Sequence, residues 1–399
     1  MSAASDGMGQ GMDFEFSDDQ RAVRDAAERI CQDFPDSYWL ARDEDGVFPH
    51  EFHAAMAEGG WLGIAMPVEN GGAGLGITEA ALMMQTVAAS GGAMAAASSI
   101  HMNIFAPHPI VVHGTDEQKK RMLEPLIRGE QKACFGVTEP DAGLDTTRIT
   151  TRAVKDGKTY LVNGRKIWIS TAQIADHIML LCRTTALEDC ARPTEGLSLF
   201  YTPLDRDHIE VREIPKMGRK AVDSNTLFID GLTIPEEDLI GGEGQGFSVL
   251  LQGLNPERIL IAAEALGIGR DALARAARYA SEREVFGRPI GQNQAIQHPL
   301  AQSWIDLEAA ELLTFRAAAL FDGGNPVGAQ ANAAKYFAAE AAFSACERAV
   351  MTLGGMGYAK EFHVERLLRE VMIARIAPVS RELILSHIGE KILGLPKSY

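Results

Sequence analysis

Apolar positions along the chain change period twice. From Ser17 to about Arg128 they recur at helical spacing: Val23, Ala26, Ala27 and Ile30 follow Ser17, and Gln20 stands three residues after that serine, as in a capping box. The turn clusters PVENGGAGLG (67–76) and HGTDEQ (113–118) divide this helical stretch. From about Glu130 to Ile240 the pattern shortens to runs rich in β-branched and aromatic residues: KACFGV, TYLVNGRKIWI, HIMLLCR, LSLFYTP and NTLFIDGLTI. Gly, Asp and Pro turns separate them, which predicts an antiparallel β-domain. From about Gln245 long Ala/Leu/Glu/Arg-rich helices return, broken at GRPIGQNQ (287–294), DGGNP (322–326) and LGGMGY (353–358). The predicted organisation is therefore α+β and multidomain: helices over 1–129, a β-domain over 130–242 and helices over 243–399.

At 399 residues the chain is long enough for several domains with a large core. Hydrophobic content of 46% and charged content of 23% are those of an ordinary globular protein. A net charge of −16 argues against nucleic acid or an anionic membrane as partner. The cysteines, Cys31, Cys134, Cys182, Cys190 and Cys346, are scattered and form no CxxC pair, which predicts reduced thiols and no metal site. The first dozen residues are small and polar and read as disordered. They lack the basic start and apolar run of a signal peptide, and no stretch of 18 or more apolar residues suggests a membrane span, so the expected location is the cytoplasm.

Five stretches carry chemistry: CFGVTEPDAGLD (134–145), KIWIST (166–171), KMGRKAVDSNTLFIDGLTIPEEDLIG (216–241), EREVFGRPIGQNQAIQ (282–297) and LGGMGYAKEFHVERLLRE (353–370). Together, in this order and along nearly the whole chain, they resemble the acyl-CoA dehydrogenase family. The resemblance implies a helical N-terminal domain, a central β-barrel or sandwich and a C-terminal four-helix bundle. It also implies FAD as cofactor, an acyl-CoA substrate, an electron-transferring flavoprotein as acceptor, and a homotetramer built as a dimer of dimers.

By the same resemblance, Trp168 packs on the flavin face away from substrate, with Ile169 beside it and Ser170 near N5. Thr138 and the backbone of 135–137, from Phe135 to Val137, serve the pyrimidine end, and Gly143 belongs to the same loop. Arg283 would contact the pyrophosphate, with Phe286 and Gln294 beside it. Met351, Gly354, Gly355 and Gly357 would lie at the adenosine end, across a subunit boundary, while Ser380 and Glu382 complete the cofactor set. On residue chemistry alone, a lone Trp in a strand is usually core, and LGGMGY reads equally well as a helix C-cap and turn. No GxGxxG follows a strand, so no Rossmann site is expected.

The base is the departure. Many members carry a glutamate in a YEGT-like stretch, and counting twenty-three residues on from Gly355 lands here on Pro378, inside RIAPVSRE (375–382). Proline brings neither a carboxylate nor a backbone N–H, so the usual base and one donor to the thioester oxygen are both missing. A minority of the family, typified by isovaleryl-CoA dehydrogenase, places its base in an LDxER-like motif. GLNPERILIAAEALG (253–267) resembles that motif and puts Glu257 at the position. A helix starting near Asn255, with Pro256 first, would set Glu257 in its first turn before the apolar run 259–263. Burial there would raise its pKa towards neutrality. The competing reading of Glu257 is a dipole-stabilised surface glutamate partnered by Arg258.

Arg258 and Asn255 match substrate-contacting positions, and Leu144 stands where a CoA-contacting serine is common. Small residues Ala88, Ala89, Gly91 and Gly92 would either widen the acyl pocket or pack helices tightly. Three functions compete: an FAD-dependent dehydrogenase making a trans-2-enoyl-CoA, a flavin oxidase or monooxygenase on the same fold, and a non-catalytic acyl-CoA-binding subunit of a mixed oligomer.

Overall fold

A computed structural model describes residues 15–397, apart from the Gln252 side chain. The expected disorder of the first dozen residues lies outside the described residues. Seven helices come first: α1 (Asp18–Cys31), α2 (Asp36–Asp45), α3 (His50–Glu58), α4 (Ile77–Val87), α5 (Ala93–Phe105), α6 (His108–His113) and α7 (Asp116–Ile127). The Ser17–Gln20 capping box forms in both directions, and Thr115 with Gln118 makes a second one that starts α7.

The stretch 77–113 is apolar and long enough, by length and composition alone, to cross a membrane. However, 89% of its most apolar window is buried inside the protein, which makes it a core element. It kinks at Ala88–Gly92, where Gly91 takes φ 89° and Ala93 φ 48°. The backbone groups freed at the kink are met by the later helix α11 (Val364–Val371): Arg366 donates to the Gly91 carbonyl at 2.6 Å, and the Ala95 N–H donates to Glu370 at 2.8 Å.

The middle of the chain forms β1 (Ala133–Gly136), β2 (Arg152–Asp156), β3 (Thr159–Ser170), β4 (His177–Arg183), β5 (Leu197–Pro203), β6 (Ile209–Glu213), β7 (Ser224–Pro235) and β8 (Leu239–Ile240). They share one sheet in the order β6-β7-β3-β2-β4-β5-β8, with β1 on β4. All five predicted runs are strands. The sequence pattern missed β2, β6 and β8, whose outward positions are charged or whose length is minimal. The sheet is antiparallel except where β1 and β2 meet β4 in parallel.

The C-terminal part holds α8 (Gly246–Glu282), a two-residue-strand hairpin of β9 (Glu284–Val285) and β10 (Arg288–Pro289), α9 (Gln294–Asp322) and α10 (Gly328–Leu353). After them come α11, α12 (Ile373–Ile376) and α13 (Arg381–His387). The breaks fall at the predicted turns. The start of α8 does not: the helix begins at Gly246, so Pro256 is interior and Glu257 lies well inside it, not in a first turn. The Ala-rich face of α8 buries Ala262, Ala263, Ala265, Leu266 and Ala272 in one core with α4, α5, α9 and α10. That packing outweighs the hydrogen bond an interior proline removes. At the closest approach to α4, a Cβ on Gly267 would stand 2.2 Å from the Gln85 carbonyl oxygen, so only glycine fits.

Candidate active site

The helical and β parts meet around a cavity of about 1020 Å³. Two loops from the sheet form one wall. β3 carries a register shift against β7 between Lys166 and Ile169, and within it Trp168 takes φ 62°. A bulge of this kind re-aims a side chain next to a site. Trp168 accordingly stands 56% exposed on the cavity wall, beside buried Ile169 and half-buried Ser170. The reading of Trp168 as core is therefore excluded.

Phe135, Val137, Thr138, Gly143 and Leu144 supply the adjoining part of the wall. Gly143 sits at φ 53° with nothing within 4 Å of where a Cβ would be, an open approach for a ligand. The two loops are tied together by the Ile167 N–H to the Thr138 carbonyl at 2.9 Å. Lys166, fully buried, donates to the Val137 carbonyl at 3.1 Å and to Glu139 at 2.9 Å. Glu139 also accepts from the Thr150 and Thr151 N–H groups, at 2.6 and 2.9 Å. Burial would raise its pKa, but Lys166 and these donors hold it below the usual carboxylate range.

Helix α8 crosses the opposite side and contributes Leu250, Leu254, Glu257, Arg258 and Ile261. Glu257 is 9% exposed and its Oε2 has no hydrogen-bond partner. Burial pushes its carboxyl up to about 7, only partly opposed by His101 and Arg258. A surface glutamate held by a helix dipole is thus ruled out. Arg258 reaches the cavity and donates to the Asn255 side chain at 2.9 Å, which leaves Asn255 behind the wall as its support.

The floor includes Ala377, Pro378 and Val379, so the stretch that lacks the expected carboxylate does reach the site. Lys335 of α10 fixes it by donating to the Val379 carbonyl at 2.6 Å, while Arg375 and Arg381 both grip Glu340. Ser380 is not on the cavity wall: its hydroxyl caps α13, accepting from the Leu383 N–H at 3.3 Å. Glu382 is exposed, beside Arg381.

The remaining expected cofactor residues lie elsewhere in the chain. Arg283 and Phe286 belong to the hairpin after α8, where Phe286 at φ 55° is fully exposed; Gln294 opens α9. Met351, Gly354 and Gly355 stand exposed at the end of α10, with Gly354 in the C-cap position. Gly357 is buried, packed so closely that a Cβ would meet the Val350 carbonyl at 2.4 Å. None of these six exposed or surface positions lines the cavity. Nor do Ala88, Ala89, Gly91 or Gly92: a Cβ on Gly92 would strike Trp39 at 2.7 Å, so this segment is helix packing.

The sequence reading overlooked His101, Arg219 and Glu264. His101 lines the cavity and shares a 2.5 Å hydrogen bond with Glu264, which is fully buried seven residues after Glu257 on the same face of α8. Burial alone would lower the His101 pKa, yet the paired Glu264 carboxylate raises it. A histidine inside the apolar run of α5 and a glutamate inside that of α8 were the available signal. Among the described residues, no His/Cys/Asp/Glu group could hold a metal ion.

Three family models match the chain: acyl-CoA dehydrogenase, N-terminal domain over residues 17–130, middle domain over 134–232 and C-terminal domain over 244–393. The chain is 36% identical to acyl-CoA dehydrogenase FadE12 of Mycobacterium tuberculosis, covering 96% of this chain and 98% of that one. It is 34% identical to the 3-(aryl)acrylate reductase of Clostridium sporogenes, with 94% and 97% covered. Among solved structures it superposes on butyryl-CoA dehydrogenase from Megasphaera elsdenii with a TM-score of 0.90, at 29% identity over 96% of this chain and all of that one.

Proposed function

The chain belongs to the acyl-CoA dehydrogenase family, FAD-dependent oxidoreductases, and from that premise we propose that it converts an acyl-CoA thioester to a trans-2-enoyl-CoA with Glu257 as base. The observation that carries the reading is Glu257 itself. A carboxylate facing a cavity, with one oxygen unsatisfied and a pKa raised by burial to about 7, is matched to take a proton near neutral pH.

The residues on the wall fit the cofactor. An exposed indole on a strained bulge suits a flat conjugated ring, and the open backbone at Gly143 and the hydroxyls of Thr138 and Ser170 suit its polar edge. Bound FAD supplies the hydride acceptor. The chain holds the acyl group between that wall and α8, excludes water with Met94, Met102, Phe105 and Leu254, and takes the α-proton on Glu257. With no N–H at Pro378, the thioester oxygen has one donor fewer than in relatives that carry an amide there.

Arg283, Phe286, Gln294, Met351, Gly354 and Gly355 then serve the cofactor of a neighbouring subunit in a homotetramer, which accounts for their exposure away from the cavity. Electrons leave to an electron-transferring flavoprotein.

The test is anaerobic titration of the purified flavoprotein with straight, branched and cyclic acyl-CoAs. Loss of the flavin's visible absorbance with enoyl-CoA formation is expected. No bleaching by any acyl-CoA would point to a non-catalytic binding subunit, and rapid reoxidation by air after bleaching would point to an oxidase.

A further inference from the structure

The cavity wall holds a guanidinium with no counter-ion. Arg219 lies between β6 and β7, at φ 56°, a strained left-handed conformation for an arginine. Three of its N–H donors go to neutral hydroxyls: Ser98 at 3.2 Å, Ser170 at 3.0 Å and Ser224 at 3.1 Å. A guanidinium has five, so two remain. Among the described residues, no carboxylate comes within 4.0 Å of it. Glu370, Asp223 and Glu264 act on it only at longer range. Glu370 is itself committed to the Ala95 N–H, with Arg366 at 3.8 Å, and burial raises its pKa.

A second cation stands close by. Lys216, three residues earlier, also lines the cavity and donates to the Val222 carbonyl at 2.8 Å. Burial, with the neighbouring Arg219 charge, pushes its ammonium down to about 8. His101 becomes a third donor when its ring is protonated, the form that the paired Glu264 carboxylate favours. It follows Ser98 by one helical turn on the same face of α5, so it flanks the Arg219 guanidinium. Its Nε2 is buried without a partner, while Glu264 holds the other ring nitrogen.

A half-buried cation with no counter-ion is costly, and it persists where a ligand supplies the missing charge. Here the cation sits beside Ser170 on the wall of the cavity that Glu257 also lines, where the proposed function seats the acyl group. We propose that the acyl group of the substrate bears a carboxylate, bound by the two spare donors of Arg219 with His101 Nε2 alongside. The substrate class is therefore a carboxyacyl-CoA. Arg219 and His101 act as specificity-determining residues, and Ser98 and Ser224 hold the guanidinium in place. The inference rests on the reading of this cavity as the acyl-CoA site.

The experiment measures equilibrium binding, independent of turnover, by calorimetry on the FAD-loaded protein. Acyl-CoAs of equal chain length are compared in pairs, one ending in a carboxylate and one in a methyl group. The CoA moiety is common to each pair, so the phosphates cancel and the difference reads the acyl end alone. The wild type is expected to favour the carboxylated member by tenfold or more at its best chain length. In Arg219→Met that preference disappears or reverses, while Arg219→Lys keeps part of it; flavin content and Tm verify that each variant is folded. Equal affinity within every pair in the wild type, or a preference that survives Arg219→Met, overturns the proposal. Bleaching of the flavin in the same samples is scored separately. Bleaching without a carboxylate preference leaves the dehydrogenase reading standing and removes this site. A preference without bleaching does the reverse.

Discussion

Glu257 shows how one side chain's surroundings set its chemistry. Its folded pKa of about 7 stands above the ordinary 4.5, so ionising it opposes folding. Its contribution to stability is most favourable below pH 4.5, falls as pH rises towards 7 and is level above. Glu257→Gln should therefore raise Tm at pH 8, by up to the equivalent of about 3 kcal/mol, and leave it nearly unchanged at pH 4.5, as calorimetric scans at both pH values would record. A second residue-scale prediction concerns the clamp between the two wall loops. Lys166→Met leaves Glu139 buried without its cation and should cost about 3–5 kcal/mol in urea unfolding. The double variant with Glu139→Gln should recover part of that loss.

Much of the site was legible at this scale because its residues come in strings. The WIS of β3 lies whole on the cavity, and the contiguous CFGVT after α7 puts Phe135, Val137 and Thr138 there. Arg219, His101 and Glu264 were not legible. His101 and Glu264 each stand in an otherwise apolar run and Arg219 in a basic loop, and their meeting depends on the packing of α5, α8 and the loop before β7.

At the scale of elements, the helix that carries Glu257 begins at Gly246, nine residues before the start near Asn255 that Pro256 suggested. A proline preceded by asparagine is a good local start signal, but an Ala-rich stripe buried against four other helices carries α8 through it. The strands were read correctly where β-branched and aromatic residues alternate, and missed in β2 and β6, where arginine, lysine, aspartate and glutamate face outward. Substituting Gly267 by alanine should force α8 off α4 and destabilise the protein by about 1–3 kcal/mol, measured by denaturant midpoint at constant m-value. The clamp on 377–379 gives a functional counterpart. Lys335→Met frees the Val379 carbonyl and should raise KM more than it lowers kcat, provided the floor of the cavity positions substrate.

At the scale of the molecule, the chain divides the expected cofactor residues into two sets. One lines the cavity; the other, with Phe286 and Met351, lies exposed on the surface. Phe286, Met351, Met356 and Tyr358 are large apolar side chains open to solvent, an arrangement that fits burial against another copy. If the proposed subunit-shared cofactor site holds, Phe286→Asp should shift the assembly to a smaller species in sedimentation and lower the bound FAD per chain together. The sequence could show that both sets exist, but not that one chain separates them, because separation is a property of the folded surface.

The central claim is that proton abstraction resides on Glu257, 121 residues before the vacancy at Pro378. Rapid-mixing measurement of flavin reduction by a substrate acyl-CoA, across pH, tests it most directly. The wild-type rate should climb about tenfold per pH unit below about 7 and level off above it, and Glu257→Gln should lower the plateau by about 10²–10⁴-fold with FAD still bound. A variant that reduces its flavin at the wild-type rate, with the same pH profile, would contradict the account.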